Sequence, residues 1–142
     1  MNDTRSAAYG ALVLRVALGI LFIAHALLKL IVFTLPGTVE FFRLVGLPGW
    51  LAYVVTFAEL AGGAALVLGF HARYVALALI PILVGAIVTV HGANGWLFDN
   101  KGGGWEFPAF WAVALFAQFL LGNGALALTI GKAATAKPSD GT

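Results

Sequence analysis

Cysteine is absent from this 142-residue chain, and charged residues make up only 10% of it. Without a thiolate, the chain itself cannot supply a disulfide, a zinc–thiolate site, an iron–sulfur cluster or a c-type haem attachment. Its six acidic and eight basic residues give a formal net charge of +2 and form no basic run, so we expect no nucleic-acid partner. Any electron or sulfur chemistry would depend on a bound cofactor, a quinone or the thiols of a partner.

Hydrophobic residues are unusually abundant in the chain. The chain is 61% hydrophobic and has a mean hydropathy of +0.98, whereas an ordinary soluble domain is about half apolar and about one quarter charged. A soluble domain of this length could not bury so much apolar surface, and a disordered chain needs low hydrophobicity. The composition therefore predicts an integral membrane protein whose first partner is the lipid bilayer.

Four apolar stretches approach the length of about 20 residues that a helix needs to cross a bilayer. We therefore predict an all-α membrane four-helix bundle as one domain, residues 1–130, followed by a disordered tail, residues 131–142. Gly122 weakens the end of the fourth stretch, so that helix can stop at Leu121. The predicted spans are approximately residues 9–35, 50–68, 74–90 and 107–128.

The first long connection, residues 39–47, mixes apolar side chains with Glu40 and Arg43. It is too short and too charged to span a bilayer, which predicts a short helix lying at the membrane interface, with a structured loop as the alternative. A second open alternative concerns the start of the chain, where residues 5–26 have features of a signal peptide. The apolar run continues to Phe33, which favours a first transmembrane helix.

Lysine and arginine counts predict the orientation, because cytoplasmic loops carry the excess of positive charge. With four spans, both termini and the turn at residues 69–73 share one side, which we predict to be the cytoplasmic side of the inner membrane. That side carries Arg5, Arg15, Arg73, Lys132 and Lys137, whereas the opposite side has only Arg43 and Lys101.

Four ionisable residues fall inside the predicted spans: Arg15, His25, Lys29 and Glu59. A charge at the bilayer centre opposes insertion by about 2.5–3.5 kcal/mol, so such residues are expected to face one another or water. Helical periodicity places the first three within about an 80° arc of the first helix. We predict that Glu59 pairs with Lys29 or hydrogen-bonds to His25 in a cavity open to the outer face. An ion pair that only holds two helices in register is the alternative.

The candidate site residues divide by role. Candidate catalytic residues are those of the buried cluster, and candidate cofactor-binding residues include two at the predicted mouth of the cavity. Haem ligation by His25 and His91 is disfavoured because their depths differ by about 10 Å or more, and no metal site is predicted. For Arg15, the alternative role is to anchor the first helix at the membrane interface. The catalytic candidates are Glu59, Lys29 and His25, and the cofactor-binding candidates are His91, Glu106 and Arg15.

Several short motifs occur in a specific order along the chain. Among them are Leu14-Arg15, His25-Ala26-Leu27-Leu28-Lys29, Glu59-Leu60 with Gly62-Gly63, Gly103-Gly104-Trp105-Glu106 and Gly122-Asn123-Gly124. Over about residues 14–128 the ordered set resembles the DoxX family of small membrane proteins, with mild departures at Ala26 and Asn123. The resemblance implies four membrane helices and a link to sulfur and oxidative-stress chemistry, since the family takes its name from a thiosulfate:quinone oxidoreductase.

Three hypotheses of function follow. The first is a quinone-linked subunit of an oxidoreductase system, in which a soluble redox or sulfur-transfer enzyme is the partner. The second is a non-catalytic membrane anchor or scaffold for a partner enzyme. The third is a small carrier, which would require a homodimer because four short helices leave little room for alternating access. The sequence leaves open whether the chain is itself an enzyme.

Overall fold

The computed structural model describes residues 2–128, which form five α-helices and, within that range, no β-strand. The all-helical class predicted from the sequence is confirmed. The predicted tail, residues 131–142, lies outside the described residues. The helices are α1 (Asp3–Leu27), α2 (Leu35–Leu44), α3 (Leu51–Leu68), α4 (Ala72–Ala86) and α5 (Glu106–Leu121).

Three continuous helical stretches are long and apolar enough to cross a bilayer: Asp3–Val32, Leu51–Leu68 and Ala72–Asn94. The fourth apolar helix, α5, has only 16 residues, or about 24 Å at 1.5 Å per residue. It ends at Leu121 because Gly122 adopts φ 85° and ψ −157°, which is not helical. The fourth stretch therefore stops at the earlier of its two predicted ends.

Two of the long stretches contain a π-helical turn, Leu28–Val32 after α1 and Ile87–His91 after α4, and the second continues as a 3-10 turn, Gly92–Asn94. After the first turn the helix breaks at Thr34, whose φ of 63° is left-handed, and Pro36 lies in the first turn of α2. The predicted interfacial segment is thus helical, although it begins four residues before the expected residue 39. It packs against α3, and its buried residues are Thr38 and Phe42.

The bundle is built from two extensively packed helix pairs, α1 with α3 and α4 with α5, and smaller α3–α4 and α1–α5 contacts join them. The first pair crosses closely at glycines. A Cβ atom on Gly19 would lie 2.6 Å from the Gly63 carbonyl oxygen, and one on Gly63 would lie 2.8 Å from the Gly19 oxygen. Small residues allow such close approach of membrane helices. The core includes Leu18, Phe22, Leu66, Leu79, Leu83, Trp111 and Leu115.

Beyond α5, residues 122–128, here called the return segment, fold back over the ends of α1 and α3. The Ala125 N–H donates to the Ala8 carbonyl at 2.9 Å, and the Leu128 N–H donates to the Leu68 carbonyl at 3.2 Å. The buried side chain of Gln118 donates to the Gly122 carbonyl at 2.7 Å. The return segment therefore closes the end of the bundle where α3 ends.

Candidate functional site

Lys29, in the π-helical turn after α1, forms an ion pair with Glu59 of α3. The Lys29 Nζ atom lies 2.7 Å from Oε2 and 2.9 Å from Oε1 of Glu59. Only 17% of the lysine side chain and 6% of the glutamate side chain are exposed. Of the two partners that the unfavourable free energy of isolated membrane charges predicted for Glu59, the structure has Lys29 and not His25 within hydrogen-bond distance.

Local helix geometry brings the two side chains together. Glu59 lies on the buried stripe of α3, between Thr56 and Gly63 at the three- to four-residue spacing of a helix face. Lys29 lies in the π-helical turn Leu28–Val32, where one extra residue per turn changes the direction in which side chains point. The Thr38 hydroxyl of α2 donates to the Thr34 carbonyl at 2.9 Å and approaches the Lys29 carbonyl at 3.4 Å. Thus α2 packs directly beside the π turn that holds the lysine.

His25 lies one helical turn before Lys29 and is half-buried. Its Nδ1 atom is 2.9 Å from the Leu21 carbonyl oxygen. Because a carbonyl only accepts hydrogen bonds, Nδ1 carries the proton, and Nε2 of the neutral ring is then an acceptor. The imidazole therefore offers a proton-accepting nitrogen near the ion pair.

Trp111 of α5 contacts the His25 ring edge-on, with centroids 4.9 Å apart and an interplanar angle of 61°. Its ring also packs against Phe22, at a centroid distance of 4.5 Å, and Phe107, at 5.6 Å. Sequence reasoning did not connect Trp111 to the polar cluster. The available signal was its depth, since tryptophan in membrane proteins usually lies at the interface.

His91 and Glu106 are found in a different hydrogen-bond network, which shapes the loop between α4 and α5. His91 Nδ1 donates to the Gly103 carbonyl at 2.9 Å, and a Glu106 carboxylate oxygen accepts from the Phe98 N–H at 2.8 Å. The Asn94 amide lies within 2.9–3.1 Å of the carbonyls of Val90, Gly102 and Gly103. Within residues 2–128, no hydrogen bond joins His91 or Glu106 to the ion pair.

A shallow apolar groove of about 640 Å³ lies between the first half of α5 and the loop that precedes it. Glu106 is its one ionisable lining residue, and neither His91 nor the ion pair lines it. In the part of the chain that the structure describes, no group of three or more His, Asp or Glu side chains is placed to hold a metal ion. The groove is lined by Trp96, Phe98, Glu106, Phe107, Ala109, Phe110 and Val113.

Arg15 lies at the opposite end of the α1–α3 pair, about 21 Å along the helix from Lys29 at 1.5 Å per residue. Its side chain is buried, and the guanidinium does not extend towards the interface as the anchor alternative expected. Its nitrogens donate to the carbonyls of Leu66 at 2.9 Å, Val67 at 2.5 Å and Ala125 at 2.9 Å. Arg15 thus caps the carbonyl end of α3, where positive charge is favourable, and fastens the return segment.

The DoxX family model matches residues 10–92, which is more than half of the chain. The chain belongs to the DoxX family. It is a membrane protein of this family, and the matched region contains Arg15, His25, Lys29, Glu59 and His91.

One curated relative of this DoxX protein is a Bacillus subtilis (strain 168) protein named "Putative oxidoreductase CatD". The two are 42% identical over 81 residues, which are 57% of this chain and 59% of the relative. The chain therefore spans less than two thirds of the relative's length. No solved structure matches the chain significantly.

Proposed function

We propose that this DoxX protein is the quinone-linked membrane subunit of an oxidoreductase system in sulfur or oxidative-stress metabolism. The observation that carries the proposal is the buried Lys29–Glu59 ion pair with the His25 imidazole one turn away. Ionisable groups at this depth in apolar helices usually mark ligand or proton pathways. The name of the CatD relative supports the oxidoreductase class, and the family resemblance supports the quinone.

The chemistry divides between this chain and a partner. Reduction of a quinone to the quinol takes up two electrons and two protons. Because the chain has no cysteine, we assign the electrons to a soluble partner enzyme that oxidises a reduced sulfur compound. This chain would bind the quinone and exchange the protons with it.

The cluster provides groups suited to that task. The Lys29 ammonium has three N–H bonds, so one remains for a ligand oxygen when two are directed at Glu59. The Glu59 carboxylate and the His25 Nε2 atom can each accept and release a proton, as general acid–base groups do. Access would be lateral from the bilayer, because His25 is half-buried and Lys29 keeps part of its surface exposed.

For the topology, we propose four membrane helices, α1, α3, α4 and α5, with both termini on the cytoplasmic side of the inner membrane. The shorter α5 supports this when flanking residues or local bilayer thinning compensate for its length. Residues 36–49 and 91–105 then lie outside, and the ion pair lies closer to that outer face than to the cytoplasmic one.

The test is mass spectrometry of a solvent extract of the purified protein, compared with an unrelated membrane protein prepared identically. We expect quinone to be enriched over that reference, lost from Glu59→Gln, and retained in Glu40→Gln, which changes an exposed glutamate of α2. Equal quinone contents in all four preparations would overturn the proposal.

A second candidate function, a membrane anchor for a partner enzyme, is favoured by the loop between α4 and α5. Its hydrogen-bond network presents three large apolar side chains, Trp96, Leu97 and Phe98, on the surface. A stoichiometric partner that co-purifies in mild detergent, and is lost from a Leu97→Ser/Phe98→Ser variant, would support this function. The anchor function would be preferred to the quinone-linked one if the solvent extract of the purified protein contained only bulk lipid.

A further inference from the structure

We propose that Trp111 is a fourth polar contact of the quinone site, and that its indole N–H donates a hydrogen bond to a ligand oxygen beside His25. This inference rests on the proposed function and extends it to a residue of α5. It also narrows the ligand to a planar ring that bears an acceptor oxygen.

The first evidence is an unused hydrogen-bond donor. Trp111 is 4% exposed, and its Nε1 atom has no hydrogen-bond partner among residues 2–128. Two other buried polar atoms lack partners, Nε of Arg15 and Oε1 of Gln118, but both side chains make hydrogen bonds through their other atoms. The indole has a single polar atom, so the whole hydrogen-bonding capacity of the Trp111 side chain is unused.

The second evidence is the position of Trp111 among the tryptophans. Trp50 and Trp96 are exposed and Trp105 is half-buried, as expected for side chains at a membrane interface. A buried indole N–H usually finds a partner, because leaving it unsatisfied is unfavourable. Trp111 is therefore the tryptophan whose indole N–H is best explained by a hydrogen bond to a ligand.

The third evidence is the surroundings of the ring. Trp111 contacts His25 of α1, so a ligand oxygen at the indole would lie near the imidazole and one turn from Lys29. Phe22 and Phe107 pack on the same indole, and aromatic rings favour offset or edge-to-face packing with another planar ring. A quinone head group has both the ring and the carbonyl oxygens that this set of groups would recognise.

The first experiment uses Trp111 as its own reporter. A variant with Trp50→Phe, Trp96→Phe and Trp105→Phe keeps Trp111 as the sole tryptophan and is titrated, in lipid nanodiscs, with a decyl-substituted benzoquinone. We expect saturable quenching of Trp111 fluorescence. The matched Trp111→Phe protein, which keeps the other three tryptophans, should show only the linear quenching caused by quinone dissolved in the lipid. Linear quenching of Trp111 itself would overturn the inference.

The second experiment separates the N–H from the ring. Benzothienylalanine incorporated at position 111 keeps the bicyclic ring and lacks the donor. Loss of one neutral hydrogen bond should weaken binding of the same quinone about three- to tenfold, measured by equilibrium dialysis with nanodiscs. Trp105→Phe serves as the control and should bind with unchanged affinity.

The outcomes of these experiments separate the role of Trp111 from the proposed function. If the unmodified protein binds the quinone and the benzothienylalanine protein binds it equally well, the role of Trp111 is wrong and the proposed function stands. If the unmodified protein shows no saturable binding, both fail together.

Discussion

Lys29 Nζ donates to both carboxylate oxygens of Glu59, at 2.9 and 2.7 Å, and so joins the π-helical turn after α1 to α3. Removing two charges from water is expensive, and replacing a buried ion pair by apolar residues of similar volume is often neutral or stabilising. Stability alone therefore gives little reason for this pair, and a role in binding a ligand and moving its protons gives one.

Breaking the pair from one side should be worse than removing it. Lys29→Met leaves a buried carboxylate and Glu59→Gln leaves a buried ammonium, and each should lower the free energy of unfolding by about 3–5 kcal/mol. The double variant should recover most of that loss, because no isolated charge remains. Thermal or denaturant unfolding in detergent micelles measures all three.

The matched control is the Glu40–Arg43 pair of α2, which is 3.7 Å apart and exposed. Its coupling free energy should be at most about 0.5 kcal/mol, as is usual for exposed helix pairs. A coupling between Lys29 and Glu59 no larger than this would show that the two charges do not depend on each other.

Arg15 should be irreplaceable by lysine. The guanidinium spans two separate sites, because one terminal nitrogen donates to the carbonyls of Leu66 and Val67 and the other to that of Ala125, whereas an ammonium is a single point donor. Arg15→Lys should lower the melting temperature and speed proteolytic cleavage within the return segment. Arg5→Lys, at an exposed position, should change neither. Equal cleavage rates in both variants would show that Arg15 does not hold the return segment in place.

The glycine crossing of α1 and α3 should tolerate no side chain. Gly19→Ala and Gly63→Ala each introduce a Cβ within 3 Å of a carbonyl oxygen of the other helix, and such overpacking destabilises by about 1–3 kcal/mol. Gly85→Ala in α4 meets no atom within 4 Å and should stabilise by about 0.5–1 kcal/mol, because alanine favours helix. Unfolding measurements that give the same sign for all three would falsify the crossing geometry.

Asn94 should hold the loop between α4 and α5. Its amide approaches three carbonyls, two of them on the far side of the loop. Asn94→Ala should therefore speed amide hydrogen exchange across residues 95–104, while Lys101→Ala, at an exposed position, should leave exchange unchanged. Uniform protection in both variants would mean that the loop is held by its backbone alone.

The sequence was informative where burial of a side chain is unfavourable and few residues could serve as its partner. The unfavourable burial of isolated charges predicted that Glu59 would pair with Lys29 or hydrogen-bond to His25, and the structure has the first of these. The partners of Arg15 could not be predicted in this way, because they are backbone carbonyls distant in sequence that any residue type could supply. The π-helical turn at Lys29 also leaves no pattern in the sequence, since its residues are ordinary apolar ones.

Photo-cross-linking shows directly whether a quinone binds at Lys29, Glu59 and His25. A photoreactive quinone analogue is irradiated with the protein in nanodiscs, and labelled peptides are mapped by mass spectrometry with and without excess unlabelled quinone. We expect labelling, reduced by unlabelled quinone, within residues 21–33 of α1 and its π turn and within residues 52–63 of α3. This labelling should be lost in Glu59→Gln and kept in Glu40→Gln. Labelling confined to the α5 groove, or labelling that excess quinone does not reduce, would contradict it.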